Sequence, residues 1–136
     1  MVREIVKDPM FLQRKSVDAS AVDMPTAIDL LDTLKANFEG CVGLAANMIG
    51  VSKRIIAVSD NGRYILMFNS EIIKSYGEYE TVEGCLSLEG ERKTKRFKTI
   101  QVKYANDKFK QTTRTFSDFT AQIIQHEIDH CNGILI

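Results

Sequence analysis

The chain lacks a net charge: 18 lysines and arginines stand against 18 aspartates and glutamates in 136 residues. That balance creates no field to hold a polyanion or an anionic bilayer, so neither nucleic acid nor membrane is expected as a partner. No apolar run approaches ~18 residues and no basic-then-apolar leader occupies Met1 to Met10. Neither a membrane span nor a secretory signal is therefore expected, and the cytoplasm is the expected compartment. Cysteine is scarce and odd in number. Cys41, Cys85 and Cys131 fall at unrelated spacings, which argues against a disulfide framework and fits a reducing compartment. Taken singly, each reads as a small buried hydrophobe unless its surroundings say otherwise. Repeats, linkers and low-complexity tracts are also missing, so residues 1–136 read as one domain, long enough to bury a core without staples.

Histidine occurs only twice, and both copies lie in one string, Gln125-His126-Glu127-Ile128-Asp129-His130. Two imidazoles four residues apart on a helix point the same way and can grip one metal ion. At about 100° per residue, Phe119, Ile123, His126 and His130 share a narrow stripe, with Glu127 on its flank and Ile124 and Ile128 further round. Ser117 is a candidate N-cap, Asp118 puts an acid in the first turn, and Gly133 stands where a left-handed residue ends a helix. The pattern predicts a helix from Asp118 to Cys131 or Asn132.

Upstream, residues 1–22 have no sustained period and read as an irregular arm, with a turn at Asp8-Pro9 that breaks any helix. Asp23 and Pro25 open a core helix whose stripe is Ile28, Leu31, Leu34 and Phe38 and which closes at Gly40. Gly40 to Gly50 is small, apolar and glycine-punctuated, which lets a backbone approach another surface closely. Arg54 to Ser59 and Tyr64 to Asn69 read as a hairpin around Asp60-Asn61-Gly62-Arg63, with Ile72 to Val82 extended beyond it. Glu83-Gly84-Cys85-Leu86-Ser87 then breaks the strand pattern. Thr99 to Ala105 and Phe109 to Phe116 alternate around Asn106-Asp107-Lys108 as a second hairpin. Arg92, Lys93, Lys95, Arg96 and Lys98 read as a solvated loop or edge strand. The expected class is α+β: antiparallel sheets packed around a central C-terminal metal-binding helix, with an N-terminal core helix.

A catalytic site built on two imidazoles wants a third ligand from another element. Cys85, in its glycine-flanked segment, is the best upstream candidate; Cys131 points about 100° away from His130. Two imidazoles and a thiolate with a fourth position for water suit Zn²⁺ or Fe²⁺ and disfavour Ca²⁺ or Mg²⁺. Glu127, beside the ligands, is placed to take a proton from water and hand it to a leaving amine. Asp129 reads as a residue that orients an imidazole or the backbone. From the residues alone, this is a metal-dependent hydrolase.

Three stretches in order, Gly43-Leu44-Ala45-Ala46, Glu83-Gly84-Cys85-Leu86-Ser87 and His126-Glu127-Ile128-Asp129-His130 with Asn132-Gly133-Ile134-Leu135 behind it, resemble the three motifs of the peptide deformylase family. The resemblance spans most of the chain. It implies removal of the N-formyl group from the first methionine of new polypeptides, with Fe²⁺ the native metal and Zn²⁺ or Ni²⁺ able to replace it. Carried over, Cys85, His126 and His130 are the metal ligands, Glu127 is the general acid/base, and the Leu86 N–H helps hold the formyl oxygen. The resemblance puts Gly43, Gly84 and Arg92 against the peptide, which adds as an extra strand. Glu83 falls among these substrate-site residues as a carboxylate that orients the site.

The sequence also departs from the family pattern. Met48 stands where the first motif carries a glutamine whose N–H serves the developing oxyanion, and a thioether has no donor to give. Asn47 would point about 100° away unless the register shifts. Glu89-Gly90 replaces a proline, Cys131 replaces a leucine, and with the chain ending at Ile136 ribosome association is not expected. Two expectations follow: a deformylase weakened or altered in acyl specificity by Met48, or a metal- and peptide-binding relative without efficient turnover.

Overall fold

Asp8-Pro9 starts a helix instead of breaking one. In the computed structural model, which describes Met1–Ile136, Asp8 Oδ1 accepts the Met10 N–H, and Pro9 begins the short helix α1, Pro9–Leu12. In a first turn the missing proline N–H costs nothing. Helix α2 runs Met24–Ala36 with Pro25 in its first turn. It ends before the expected Gly40, and its buried residues are Ala27, Leu30, Thr33 and Leu34. Ile28 is half exposed, and Phe38 lies in turns past the last helical residue, where the helical phase no longer governs direction.

Five strands follow: β1 Gly43–Ala45, β2 Ile55–Asp60, β3 Arg63–Cys85, β4 Leu88–Ala105 and β5 Gln111–Ser117. They form one antiparallel sheet in the order β1-β2-β3-β4-β5, so every strand pairs with its neighbour in the chain. Asp60 faces Arg63 across Asn61 and Gly62, whose φ of 51° and 88° supply the left-handed pair that a twisted hairpin needs. In the second hairpin Asn106 Oδ1 accepts the N–H groups of Lys108 and Lys110.

The expected separate sheets are one, because β3 passes through register shifts at Phe68/Glu71 and Ile72/Lys74 without ending. Bulges bend a strand and re-aim its side chains while the ladder continues. Glu83-Gly84-Cys85 is the end of that same strand: Cys85 pairs with Leu88 across a turn at Leu86-Ser87.

Helix α3, Asp118–Cys131, matches the expected span and packs on β4, β2 and β1. Ser117 is its N-cap, as expected, with extended backbone, but its hydroxyl makes no capping bond and instead meets Thr99 Oγ1 at 3.3 Å. Ten of its residues are buried, from Thr120 to Cys131, so it is a central helix with the apolar core on most sides. Gly133, at φ 76°, ends it, and a Cβ there would fall 2.3 Å from the Gln13 carbonyl oxygen. The Ser16 N–H donates to the Cys131 carbonyl at 2.8 Å, which ties the arm to the helix end. No helix is long and apolar enough to cross a membrane.

Candidate metal centre

The helix places His126 and His130 one turn apart, and the end of β3 brings Cys85 to them. The two Nε2 atoms lie 3.2 Å apart, and Cys85 Sγ is 3.3 Å from His130 Nε2. All three ligand atoms fall within 4.8 Å of one another. A tetrahedral centre with bonds of about 2.0–2.3 Å holds its donors about 3.3–3.8 Å apart. The observed spacing therefore fits one small divalent transition metal, and the two-nitrogen, one-sulfur set agrees in softness. Ser87 donates its N–H to Cys85 Sγ at 3.4 Å.

Behind the ligands stands a buried ionic chain. Glu83 Oε1 is 2.8 Å from His126 Nδ1, which turns the Nε2 of that ring toward Cys85. Arg96 donates to both Glu83 oxygens at 2.8 and 3.0 Å and to Asp129 Oδ2 at 2.7 Å. Gln122 Nε2 donates to Glu83 Oε2 at 2.9 Å. Burial works against the Glu83 charge, but the bonds from His126, Arg96 and Gln122 outweigh it and hold the carboxyl down at about 2. Burial also opposes charge on His126, yet the adjoining Cys85 sulfur and Glu83 carboxylate keep its ring up at about 10. His130 goes the other way, to about 3, through burial and the neighbouring His126 charge. Arg96 was expected in a solvated basic run; the rest of that run is at least partly exposed, but Arg96 is 4 % exposed because Glu83 and Asp129 pull its guanidinium inward. Replacing Arg96 with Met should cost about 3–5 kcal/mol of stability, since it strands two carboxylates. Chemical denaturation measures that loss, and a change below 1 kcal/mol would mean the chain behaves as a surface ion pair.

Glu127 is buried beside the triad, and its Oε1 has no partner within the protein. Burial pushes its carboxyl up to about 7. It rests on Gly43: a Cβ there would meet Ile123 Cγ2 at 2.6 Å and Glu127 Oε2 at 2.9 Å, so only glycine lets β1 approach α3 this closely. A cavity of about 540 Å³ opens between them, lined by Gly43, Met48, Gly84, Leu86, Gln122 and Glu127 among others. Met48 is buried in the short turn Ala46–Ile49, where its Sδ accepts the Ala45 N–H at 3.5 Å. Asn47 has turned to the far side, donating Nδ2 to the His130 carbonyl at 2.8 Å.

The polypeptide deformylase family model matches residues 2–136. The chain belongs to that family. A peptide deformylase of Clostridium beijerinckii is 53 % identical over the full length of both chains. One from Desulforudis audaxviator is 43 % identical over 80 % of this chain and 71 % of its own. The Acinetobacter baumannii class I type b enzyme in its actinonin-bound crystal structure superposes with a TM-score of 0.89 at 30 % identity, covering 99 % of this chain and 95 % of that one. The activity is thus that of a deformylase, a hydrolase that removes the N-formyl group from new polypeptides.

Within this deformylase fold, Gly43, Met48, Glu83, Gly84 and Leu86 all line the cavity. Glu83, grouped with the substrate residues from sequence, spends its oxygens on His126, Arg96 and Gln122 instead. Arg92 does not line the cavity; it pairs across from Glu83 in the ladder and reaches the Glu89 carbonyl at 3.4 Å. Cys131 is buried away from the triad, its thiol pushed up to about 12 by burial. Among the cavity residues not singled out from the sequence as site residues are Gln122, one turn before His126, and Cys41, whose thiol donates to the Gly43 carbonyl at 3.1 Å. The i, i+4 spacing of Gln122 and His126 could have pointed to the first.

Proposed function

We propose that this chain deformylates peptides with one divalent transition metal held by Cys85, His126 and His130, Fe²⁺ being the native ion and Zn²⁺ or Ni²⁺ able to replace it. The observation that carries this reading is the triad, three donors converging at 3.2 and 3.3 Å beside a buried carboxylate with a bare oxygen. A bound metal would polarise the formyl carbonyl and make water a better nucleophile at neutral pH.

The remaining steps belong to the protein. Glu127 takes a proton from the attacking water, whose oxygen bonds to the formyl carbon. As the C–N bond breaks, the same carboxyl returns the proton to the leaving amine, so formate and a free N-terminal amine result. The Leu86 N–H, in the turn after Cys85, donates to the formyl oxygen. Glu83 keeps His126 fixed throughout. The peptide lies along β1, which is at the sheet edge. There the Gly43 carbonyl and the Ala45 N–H hold only the weak sulfur contacts to Cys41 and Met48, which a peptide strand can exchange for better bonds. Met48 offers no donor to the oxyanion, so turnover is slower than with an amide at that position. Three free thiols fit a cytoplasmic location, where formylated chains begin.

The test is elemental analysis followed by turnover of formyl-Met-Ala-Ser by the Fe²⁺, Ni²⁺ and Zn²⁺ forms, with acetyl-Met-Ala-Ser alongside. The expected result is one metal per chain, cleavage of the formyl peptide, and loss of metal in Cys85→Ala. Full metal content in Cys85→Ala would refute the ligand assignment. Metal-loaded protein that leaves the formyl peptide intact would refute the mechanism.

A further inference from the structure

One face of α3 divides the cavity into two functions. Its second half carries His126, Glu127 and His130, while its first half contributes Phe119, Gln122 and Ile123. Gln122 lies one turn, about 6 Å, before His126. With Val82, Glu83 and Phe119 also in the lining, Gln122 supplies the cavity's one side-chain amide. The orientation of the amide is fixed by chemistry. Its Nε2 donates to Glu83 Oε2 at 2.9 Å, and both Glu83 oxygens also accept from Arg96. The other end, Oε1, accepts no hydrogen bond from the protein and is open to solvent, on a side chain that lines the cavity.

We infer that Gln122 determines side-chain specificity, placing one fixed hydrogen-bond acceptor in the wall that meets the first residue of the peptide. This rests on the proposed reading that the peptide's formyl group sits at the triad. A hydrocarbon or thioether side chain would desolvate Oε1 without replacing its bond to water. A side chain of similar length that ends in an N–H donor would satisfy it. Relative to a wholly apolar wall, the site therefore favours donor-ended first residues, and glutamine, nearly isosteric with norleucine, is the sharpest probe. The expected discrimination is that of one buried unpaired acceptor, about 5- to 150-fold.

The experiment compares kcat/KM for formyl-Nle-Ala-Ser and formyl-Gln-Ala-Ser in the metal-loaded parent and in Gln122→Met. The norleucine-to-glutamine ratio should rise at least fivefold in the variant. Loss of the bond to Glu83 slows both substrates alike, so it leaves that ratio untouched. An unchanged ratio in an active variant overturns the inference while leaving the proposed chemistry standing. If Gln122→Met does not fold or load metal, the parent alone decides, through inhibition by the products Nle-Ala-Ser and Gln-Ala-Ser. Inhibition constants within about fivefold of each other support the acceptor, and Gln-Ala-Ser weaker by more than that overturns it. A parent that binds these products but cleaves no formyl peptide would instead count against the proposed reaction.

Discussion

Glu127→Gln should lower kcat on formyl peptides by about 10²- to 10⁴-fold while one metal per chain remains bound. The side chain touches no ligand atom by hydrogen bond, and it is buried against Gly43 and Ile123. Glutamine fills the same space, so packing of β1 on α3 survives. What disappears is the ability to carry a proton, because an amide cannot cycle between acid and base at neutral pH. Since the carboxyl acts only as the water attacks and the amine leaves, kcat and kcat/KM should fall together, with peptide affinity little changed. The measurement is steady-state kinetics beside metal analysis and a thermal melt of the same preparation. Undiminished turnover would show that another group carries the proton, and loss of the metal would show that Glu127 helps hold it.

Met48→Gln should move the rate the other way. Its Sδ accepts the Ala45 N–H, and the cavity beside it has no side-chain amide from this turn. Asn47 does not rescue the function, because its amide is committed to the His130 carbonyl at 2.8 Å on the other side of the turn. The register shift that would have turned it inward is not the one the fold adopts. A glutamine at 48 restores an N–H toward the developing oxyanion, and a single such donor is commonly worth about 10²- to 10³-fold in rate. Affinity for the deformylated product, which develops no such charge, should change much less. The companion variant is Asn47→Ala, which should cost stability through the orphaned His130 carbonyl and leave the oxyanion step alone. A Met48→Gln enzyme no faster than the parent, with Asn47→Ala strongly impaired in kcat, would mean that the oxyanion is held by Asn47 after all.

Features governed by neighbours in the chain could be read in advance. The span of α3, the one-turn spacing of its two histidines and the Asn61-Gly62 hairpin all obey local spacing or turn chemistry, whereas Cys85, 45 residues before His130, was legible only through the ligand chemistry the histidines call for. Features governed by distant partners could not. Arg96 looked like one more cation in a basic run, because Glu83 and Asp129 lie 13 and 33 residues away. The 23-residue β3 exceeds ordinary strand lengths, so its bulges read as ends and one sheet as several. Asp8-Pro9 misled for a different reason: the same dipeptide suits a turn and a helical first turn, and burial of Leu12 in the core selects the helix. Gln122 shares the helical spacing of His126, but its bond to Glu83, 39 residues away, shows only in the fold.

The sheet's strand order also bears on the route by which the protein is made. Because each strand pairs with the one just before it, the meander can zip up progressively as the chain leaves the ribosome. The metal-binding triad cannot. Cys85 waits at the end of β3, and its imidazole partners arrive only with α3, after every strand has been synthesised. Ion capture therefore waits for α3, and a chain made only as far as the sheet presents Cys85 without its imidazole partners instead of a competent chelate.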